Sequence, residues 1–454
     1  MAPSARLSPE GVEKIKKILD QHTEENANKV PGAQISILDT KGNQLVHYAS
    51  GKIVRSDKHD EKRDLAVDDV WRGFSTGKLL LVIMALQLAE RGVLDLDDPT
   101  LMEKHFPEMA KLKILDGYED TADGPSSKKA LWKDRQKPVT PRMMLNHTCG
   151  VSNGWLDGDY REYRMLVPPM NPDLDAVESF WQTITDPTYF FFTMEPGDRF
   201  RYSFGPDMLA IILEHMIGEN LGNYITKNVI VPLGLKNTYI KHMMEPTPPL
   251  EKLYTPYMRG ANGLEATPWS EETNYNRSKL PSNYAEYKVF PEGNKHGYSV
   301  SGEMYYSAGD YATILAALLN DGVSPTTGAR ILKPESVKEM AKPNLTPEQL
   351  SYRLFAEDGP ICKKLDMDTF NPGGNIGLAC AVQGKDRVMP DSEKKSGRKA
   401  GSAYWYGLGN SEWWVDWESG IAVTIASHYF PWNDEAFRAM VDELEGVIYD
   451  ALEN

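Results

Sequence analysis

Cysteine is scarce. Three residues, Cys149, Cys362 and Cys380, in a chain of 454 are an odd number, widely spaced and without a Cys-x-x-Cys pair. A disulfide framework is therefore not expected, and a reducing, cytoplasmic setting is. Long apolar runs are also missing: no stretch of about 18 apolar residues occurs, so no membrane span is expected. The first ten residues are polar, and no secretory signal is expected from them. Histidine supplies nine residues, with no His-Glu-x-x-His and no close His/Cys/Asp cluster, so no metal or other cofactor is called for. Positive charge is in deficit. Fifty Lys and Arg stand against 65 Asp and Glu, a net charge of −15, which argues against nucleic acid or an anionic membrane as partner. No internal repeat or low-complexity tract is found.

What is present is ordinary for a globular chain: 41% hydrophobic residues and enough length for two domains or one large two-part domain. Pro9 to Glu25 reads as an amphipathic helix with Val12, Ile15, Ile18 and Leu19 on one face. Two strands follow, Ala33 to Leu38 and Gln44 to Ala49, around the turn signal at residues 40–43. Residues 52–70 and 117–139 are charged or polar and read as loop and surface excursion; 384–399 are charged and read as exposed. From 79 to about 300 the pattern is mostly helix and loop, with helices expected after Thr140-Pro141, over Asp207 to Gly218 and over Leu221 to Val229. The segment 241–300 is irregular. Near the end, residues 411–417 and 421–428 read as strands around a turn, and Asn433 to Leu452 as a closing helix. The expectation is an α/β (α+β) fold: an antiparallel sheet built from both ends of the chain (1–72 and 305–454), with a mainly helical insertion at 73–304.

The chemistry centres on Phe74-Ser75-Thr76-Gly77-Lys78, which leads into the apolar run Leu79 to Ala89 and the stop at Gly92. A helix opening near Ser75 puts Ser75 and Lys78 about one turn apart on one face. Burial should push the Lys78 pKa down and let its amine take the Ser75 proton, and the positive helix end should favour an oxyanion at the Ser75 N–H. Such a pair needs a second proton carrier. Tyr202, at a turn before an apolar helix, is the candidate. A glycine-containing stretch, Gly401 to Asn410, can bring backbone N–H groups close to a ligand.

Together these features resemble the serine β-lactamase/penicillin-binding-protein superfamily, in its esterase and acyltransferase branch. Class A members carry Ser-x-x-Lys, Ser-Asp-Asn and Lys-Thr-Gly; the branch resembled here has Tyr in the second motif. Leu145 to Val151 is similar to the family's Leu-Leu-x-His-Thr-Ser-Gly-Leu, Glu195 to Ser203 to the run carrying its catalytic Tyr, and Ser307 to Asp310 to its Ser-x-x-Asp helix opening. Within the branch, Met84 to Gln87, Glu90 to Asp97, Arg398 to Ser402 and Pro431 to Asp434 resemble lovastatin-type fungal acyltransferases. Two departures stand out. Phe204 occupies the position of Asn in Tyr-x-Asn enzymes, which argues against β-lactam hydrolysis. For the third motif, Trp405-Tyr406-Gly407 is preferred to Lys399-Ala400-Gly401, because its spacing to Trp413-Trp414-Val415-Asp416 matches that of Trp-Gly-Gly in family VIII esterases.

The resemblance implies a serine acyltransferase with Ser75, Lys78 and Tyr202 as catalytic residues and the N–H groups of Ser75 and Leu408 as oxyanion donors. Its partners would be a small-molecule acyl donor and a small, secondary-metabolite-like alcohol or amine acceptor, with an acyl carrier protein as an admissible donor. A carboxylesterase using water is the alternative, ahead of a β-lactamase or peptidase and a non-catalytic member. Trp405, Tyr406, Gly407, Phe204, Tyr189, Phe191 and Trp155 are expected to line the substrate pocket, with Tyr406 narrowing the cleft. His147, at a helix end, is read as structural.

Overall fold

A computed structural model describes residues 4–26, 28–55, 58–107, 111–121, 128–151, 162–168, 186–240, 249, 251–253, 256–259, 266–268, 300–350, 362–363, 365 and 370–453. Its main elements, in chain order, are α1 (Pro9–His22), β1 (Gly32–Asp39), β2 (Gln44–Arg55), β3 (Lys58–Asp64), α2 (Lys78–Glu90), α3 (Gly205–Ile217), α4 (Ala308–Leu319), β4 (Asn375–Ile376), β5 (Ala381–Val382), β6 (Ala403–Gly407), β7 (Ser411–Asp416), β8 (Ile421–Ala426) and α5 (Glu435–Ala451).

Strands β6, β7, β8 and β1 are buried along their whole length, as expected of strands covered on both faces. They form the middle of an eight-stranded sheet in the order β4-β5-β6-β7-β8-β1-β2-β3, with every neighbouring pair antiparallel. The two ends of the chain meet where β8 pairs β1, Val423 opposite Ile37. Alternation along each strand sorts the side chains. Trp405, Trp413, Thr424 and Ser36 form one cross-strand row, on the side where Tyr311 of α4 packs against Trp413. Tyr404, Trp414, Val423 and Ile37 form the other, facing Arg398 and Glu445 of α5.

Helix α1 begins as its sequence dictates: Ser8 caps it by accepting from the Gly11 N–H, and Pro9 takes the first helical position. Ile15, Ile18 and Leu19 are buried, and α1 lies against α5 and β2. Helix α2 is buried from Lys78 through Leu88, a helix inside the core rather than an amphipathic one on its surface.

Three expectations are corrected. Residues 52–64 are not loop: β2 runs on to Arg55 and pairs with β3. Its Lys, Glu and Arg content suits an edge strand, where charged side chains guard the open hydrogen-bonding groups. The excursion near 117–139 contains the hairpin Ile114–Asp120 with Lys128–Lys133, laced by Lys128–Glu162, Lys129–Glu119 and Lys133–Asp116 ion pairs. Within 384–399, Arg398 is fully buried. Its guanidinium lies 4.4 Å from the Trp414 ring centre and donates to Glu412 and Glu445 at 2.6 and 2.7 Å, while Arg387 and Arg438 bind the same carboxylates. Paired charge of this kind is tolerated inside a protein where bare charge is not.

No helix among the described residues is long and apolar enough to cross a membrane. Cys149, Cys362 and Cys380 are all buried.

Candidate active site

Ser75 stands in a 3-10 turn, Phe74–Gly77, that feeds directly into α2 at Lys78. Side chains three apart eclipse in such a turn, so Ser75 and Lys78 share one side, and Nζ donates to Ser75 Oγ at 3.3 Å. Phe74, just before the serine, has φ of 49°, a conformation costly for a bulky residue. It is held by an edge-on Phe430 ring at 5.7 Å and by the Arg72 guanidinium 4.4 Å from its centre. The turn is thereby fixed with Ser75 half-buried while Thr76, Gly77 and Lys78 are buried.

Tyr202 reaches the same point from the loop before α3. Its hydroxyl is hydrogen-bonded to Ser75 Oγ at 2.6 Å, and Lys78 Nζ lies 5.2 Å from its ring centre. The three residues singled out in the sequence therefore meet at one oxygen atom.

Sequence reasoning missed what lies behind Lys78. Asp207, in the first turn of α3, is buried with an oxygen 3.7 Å from Nζ. Ser301 accepts from Nζ at 3.2 Å and gives its own hydroxyl and N–H to Asp207 at 2.8 and 2.9 Å. The sequence held one usable sign of this: an acidic residue early in a helix that is otherwise almost wholly apolar. Ser301 offered none.

The charge state expected of Lys78 is corrected in consequence. Burial does push its ammonium down, but the pull of Tyr202 and Asp207 outweighs it and raises the pKa above the ordinary lysine value.

His147 is structural, in a more specific sense than the sequence suggested. Its φ is 61°. Its carbonyl accepts the Arg201 N–H at 2.9 Å and its Nδ1 accepts the Ser203 N–H at 3.1 Å, so it grips both neighbours of Tyr202. Its ring lies 4.6 Å from the Tyr202 ring. Burial first, then the nearby Lys78 charge, push the imidazole pKa well below its ordinary value, and it stays neutral.

Strand β6 closes the other side. Trp405 is buried 5.6 Å from the Tyr202 ring and stacks at 6.3 Å on His147. Tyr406 turns to the opposite face, among Phe370, Trp432 and Arg438. Gly407 abuts the Gly73 carbonyl and Thr76, and the half-buried Leu408 follows it. The rejected Lys399 sits two residues before Gly401, ion-paired to Asp386. Phe204 is half-buried at the start of α3. Phe191 packs with Leu115 and Tyr163 in a satellite core, and Tyr189 is buried under the Arg164 guanidinium. Trp155 and most of 241–300 lie outside the described residues.

A family model described as "Beta-lactamase" matches residues 16–446. The chain belongs to the β-lactamase family. Relatives of this β-lactamase-family chain include monacolin J acid methylbutanoyltransferase of Aspergillus terreus, 25% identical over 93% of this chain and 92% of that one. Lovastatin esterase of Penicillium rubens is 25% identical over 74% of each. Esterase EstB of Burkholderia gladioli is 24% identical over 91% and 90%. Among solved structures, a mutant simvastatin synthase (LovD) of Aspergillus terreus superposes with a TM-score of 0.74 at 24% identity, covering 97% of this chain and 95% of that one. EstCE1, a hydrolase with promiscuous acyltransferase activity, does so at 0.67 and 20% identity, covering 96% and 98%. These likenesses establish for the β-lactamase-family chain a mixed α/β fold shared with both acyltransferases and esterases.

Proposed function

We propose that this protein transfers an acyl group through an ester formed on Ser75. The observation that carries the reading is the convergence of Tyr202 Oη and Lys78 Nζ on Ser75 Oγ, at 2.6 and 3.3 Å, in a partly open turn. Ser75 Oγ attacks the carbonyl of an ester or thioester while its proton passes to the Tyr202 oxygen, which acts in this step as the phenolate with the Lys78 ammonium as its counter-charge. The tetrahedral oxyanion is received by the N–H groups of Ser75 and Leu408. It collapses with loss of the donor's alcohol or thiol, which leaves with the proton held by Tyr202. The acyl group then moves to an acceptor by the same steps in reverse, the acceptor's proton returning through Tyr202 to Ser75.

Sequence similarity to a methylbutanoyltransferase over nearly the whole chain supports a small alcohol or amine of secondary metabolism as acceptor, fed by a small-molecule thioester or an acyl carrier protein. The lovastatin esterase and EstB relatives support the second reading, in which water is the acceptor. Phe204 in place of an amide-bearing side chain weighs against β-lactams.

Intact-protein mass after incubation with a short-chain acyl thioester, beside Ser75→Ala, tests the proposal. A gain of one acyl group, absent in the variant and discharged faster by an added alcohol than by buffer, is the expected result. Discharge by buffer alone at the same rate selects the esterase. No gain at all overturns the acyl-Ser75 mechanism for this donor class.

A further inference from the structure

We propose that Gln349 is a positioning residue for Tyr202, latching the loop that carries this tyrosine onto the sheet edge at β4. This rests on the acyl-Ser75 reading above and deepens it.

The latch is built by local sequence. Thr346-Pro347-Glu348-Gln349 has the spacing of a capping box, with Thr at the cap, Pro at the first helical position and Gln at the third. Both reciprocal bonds are made at the turn Pro347–Leu350. The Gln349 N–H donates to Thr346 Oγ1 at 3.3 Å, and the Thr346 N–H donates to Gln349 Oε1 at 2.9 Å. The amide oxygen is thereby engaged inside the turn. The amide nitrogen, which only donates, is left for the loop and meets the Gly197 carbonyl at 2.7 Å, across 152 positions of chain. A backbone N–H at one end and a backbone carbonyl at the other fix the amide one way round. The Gln349 carbonyl adds a second bond, accepting the Phe200 N–H at 3.0 Å.

Both bonds fall on the loop that presents Tyr202. His147 holds Arg201 and Ser203 of the same loop, and the Thr148 carbonyl accepts the Gly197 N–H at 2.8 Å. Gly197, with a φ of 82° that suits glycine, is thus gripped through both of its backbone polar groups. The other end of the strap is fixed to the sheet. Asn375 of β4 accepts the Leu345 N–H and donates back to the Leu345 carbonyl, each at 3.0 Å. Strand β4 pairs with β5, and β5 with β6, the strand of Trp405. Tyr202 and the β6 wall are therefore referred to one edge of the sheet, and the 2.6 Å contact of Tyr202 with Ser75 depends on a side chain that touches neither.

Glu is the other residue that a capping box accepts at this position. It would keep the bond from the Thr346 N–H, but as a carboxylate it has only lone pairs to set against the Gly197 carbonyl. Gln349→Glu therefore separates the latch from the turn that builds it.

The test reads the pH profile of Ser75 acylation, as the single-turnover burst from p-nitrophenyl butyrate between about pH 6 and 9, with Ser75→Ala as background. Gln349→Glu should lower the saturated burst rate by about 10–10²-fold across that range, as a misplacement of about 1 Å would, with the half-saturating concentration and Tm unchanged. The deciding readout is the same substitution in Tyr202→Phe, where acylation is followed by intact mass over hours. A residue that acts only through the Tyr202 hydroxyl costs nothing more there, within about twofold; a merely structural one costs the same factor in both backgrounds. A wild-type burst rate in Gln349→Glu, or an undiminished loss in the Tyr202→Phe background, overturns the proposal. If thermal melts show that Gln349→Glu does not fold, Gln349→Met, which removes the donor without adding charge, is read by the same two criteria. A wild-type protein that never acquires an acyl group removes the function itself, an outcome distinct from normal acylation that Gln349→Glu leaves unmoved.

Discussion

Gly407 of the sheet lies so close to Gly73 of the nucleophile turn that a methyl group on it would stand 2.4 Å from the Gly73 carbonyl oxygen. Strand and serine are in register only because that side chain is absent. Gly407→Ala should push β6 away from Ser75 and displace the Leu408 N–H. A shift of about 1 Å at a reacting centre costs on the order of 10²-fold, so the burst rate should drop by about that factor while the protein remains folded. A variant with wild-type burst rate would remove Leu408 as an oxyanion donor.

His147→Asn separates the grip on Tyr202 from the backbone. Asn tolerates the left-handed conformation that His147 adopts, so the turn should survive while the ring contact at 4.6 Å is lost. The expected outcome is a fall of about 10–10²-fold in kcat with little change in Tm. Because His147 is held neutral, the wild-type profile should show no inflection near the ordinary histidine value that this substitution abolishes.

Glu214 marks a stability switch away from the chemistry. It is buried near the C-terminal end of α3, accepting the Leu221 N–H at 2.7 Å, and burial raises its pKa from 4.5 to about 7. A carboxyl raised in the folded state contributes stability that is full below about 4.5 and lost as pH rises through about 7. On the order of 3 kcal/mol should therefore disappear between about pH 5 and 9. Urea titrations at both pH values should show this loss in wild type and a smaller one in Glu214→Gln, which keeps the acceptor; equal losses would exclude Glu214 as the cause.

Glu445 works in the opposite direction. Its burial is outweighed by Arg398 and Arg387, which lower its pKa from 4.5 to about 2. A carboxylate lowered on folding contributes stability present above about 4.5 and lost as pH falls toward about 2. Glu445→Gln leaves Arg398 short of a counter-charge in the interior and should cost on the order of 3–5 kcal/mol near neutral pH, measured by urea unfolding. A cost below about 1 kcal/mol would show that solvent or a neighbouring carboxylate compensates.

The legible parts of the fold were those where local pattern and final surroundings agree. β7 and β8 could be read because their apolar residues meet a sheet covered on both faces, and α1 because Ser8, Pro9 and the Ile15–Leu19 face all point the same way. β3 and the hairpin at 114–133 were not legible, since Lys, Asp and Gly speak locally for loops and only ion pairs and edge position make strands of them. At the site, the spacing of Ser75 and Lys78 is local and was visible, whereas Asp207 and Ser301, which meet Lys78 from behind, lie 129 and 223 residues away in the chain. Burial could be foreseen from the apolar run; the counter-charge that reverses its effect could not. Tyr189 and Phe191, expected to line the substrate pocket, are buried, Phe191 against Leu115 and Tyr163 and Tyr189 under the Arg164 guanidinium.

The pairing of β8 with β1 joins segments separated by nearly four hundred positions, as the hydrogen bond from Ser427 Oγ to the Gly32 carbonyl illustrates, with 395 between its partners. During synthesis the early strand must wait, its hydrogen-bonding edge unmet, until almost the entire message has been translated. Contacts of such range slow the search for the native state and leave a sticky intermediate exposed meanwhile. The nucleophile turn sits against β6, another late strand. A ribosome that stalls before those codons releases a polypeptide that carries Ser75 and Tyr202 yet has no finished wall to hold them, so competence arrives in a single late event rather than by degrees.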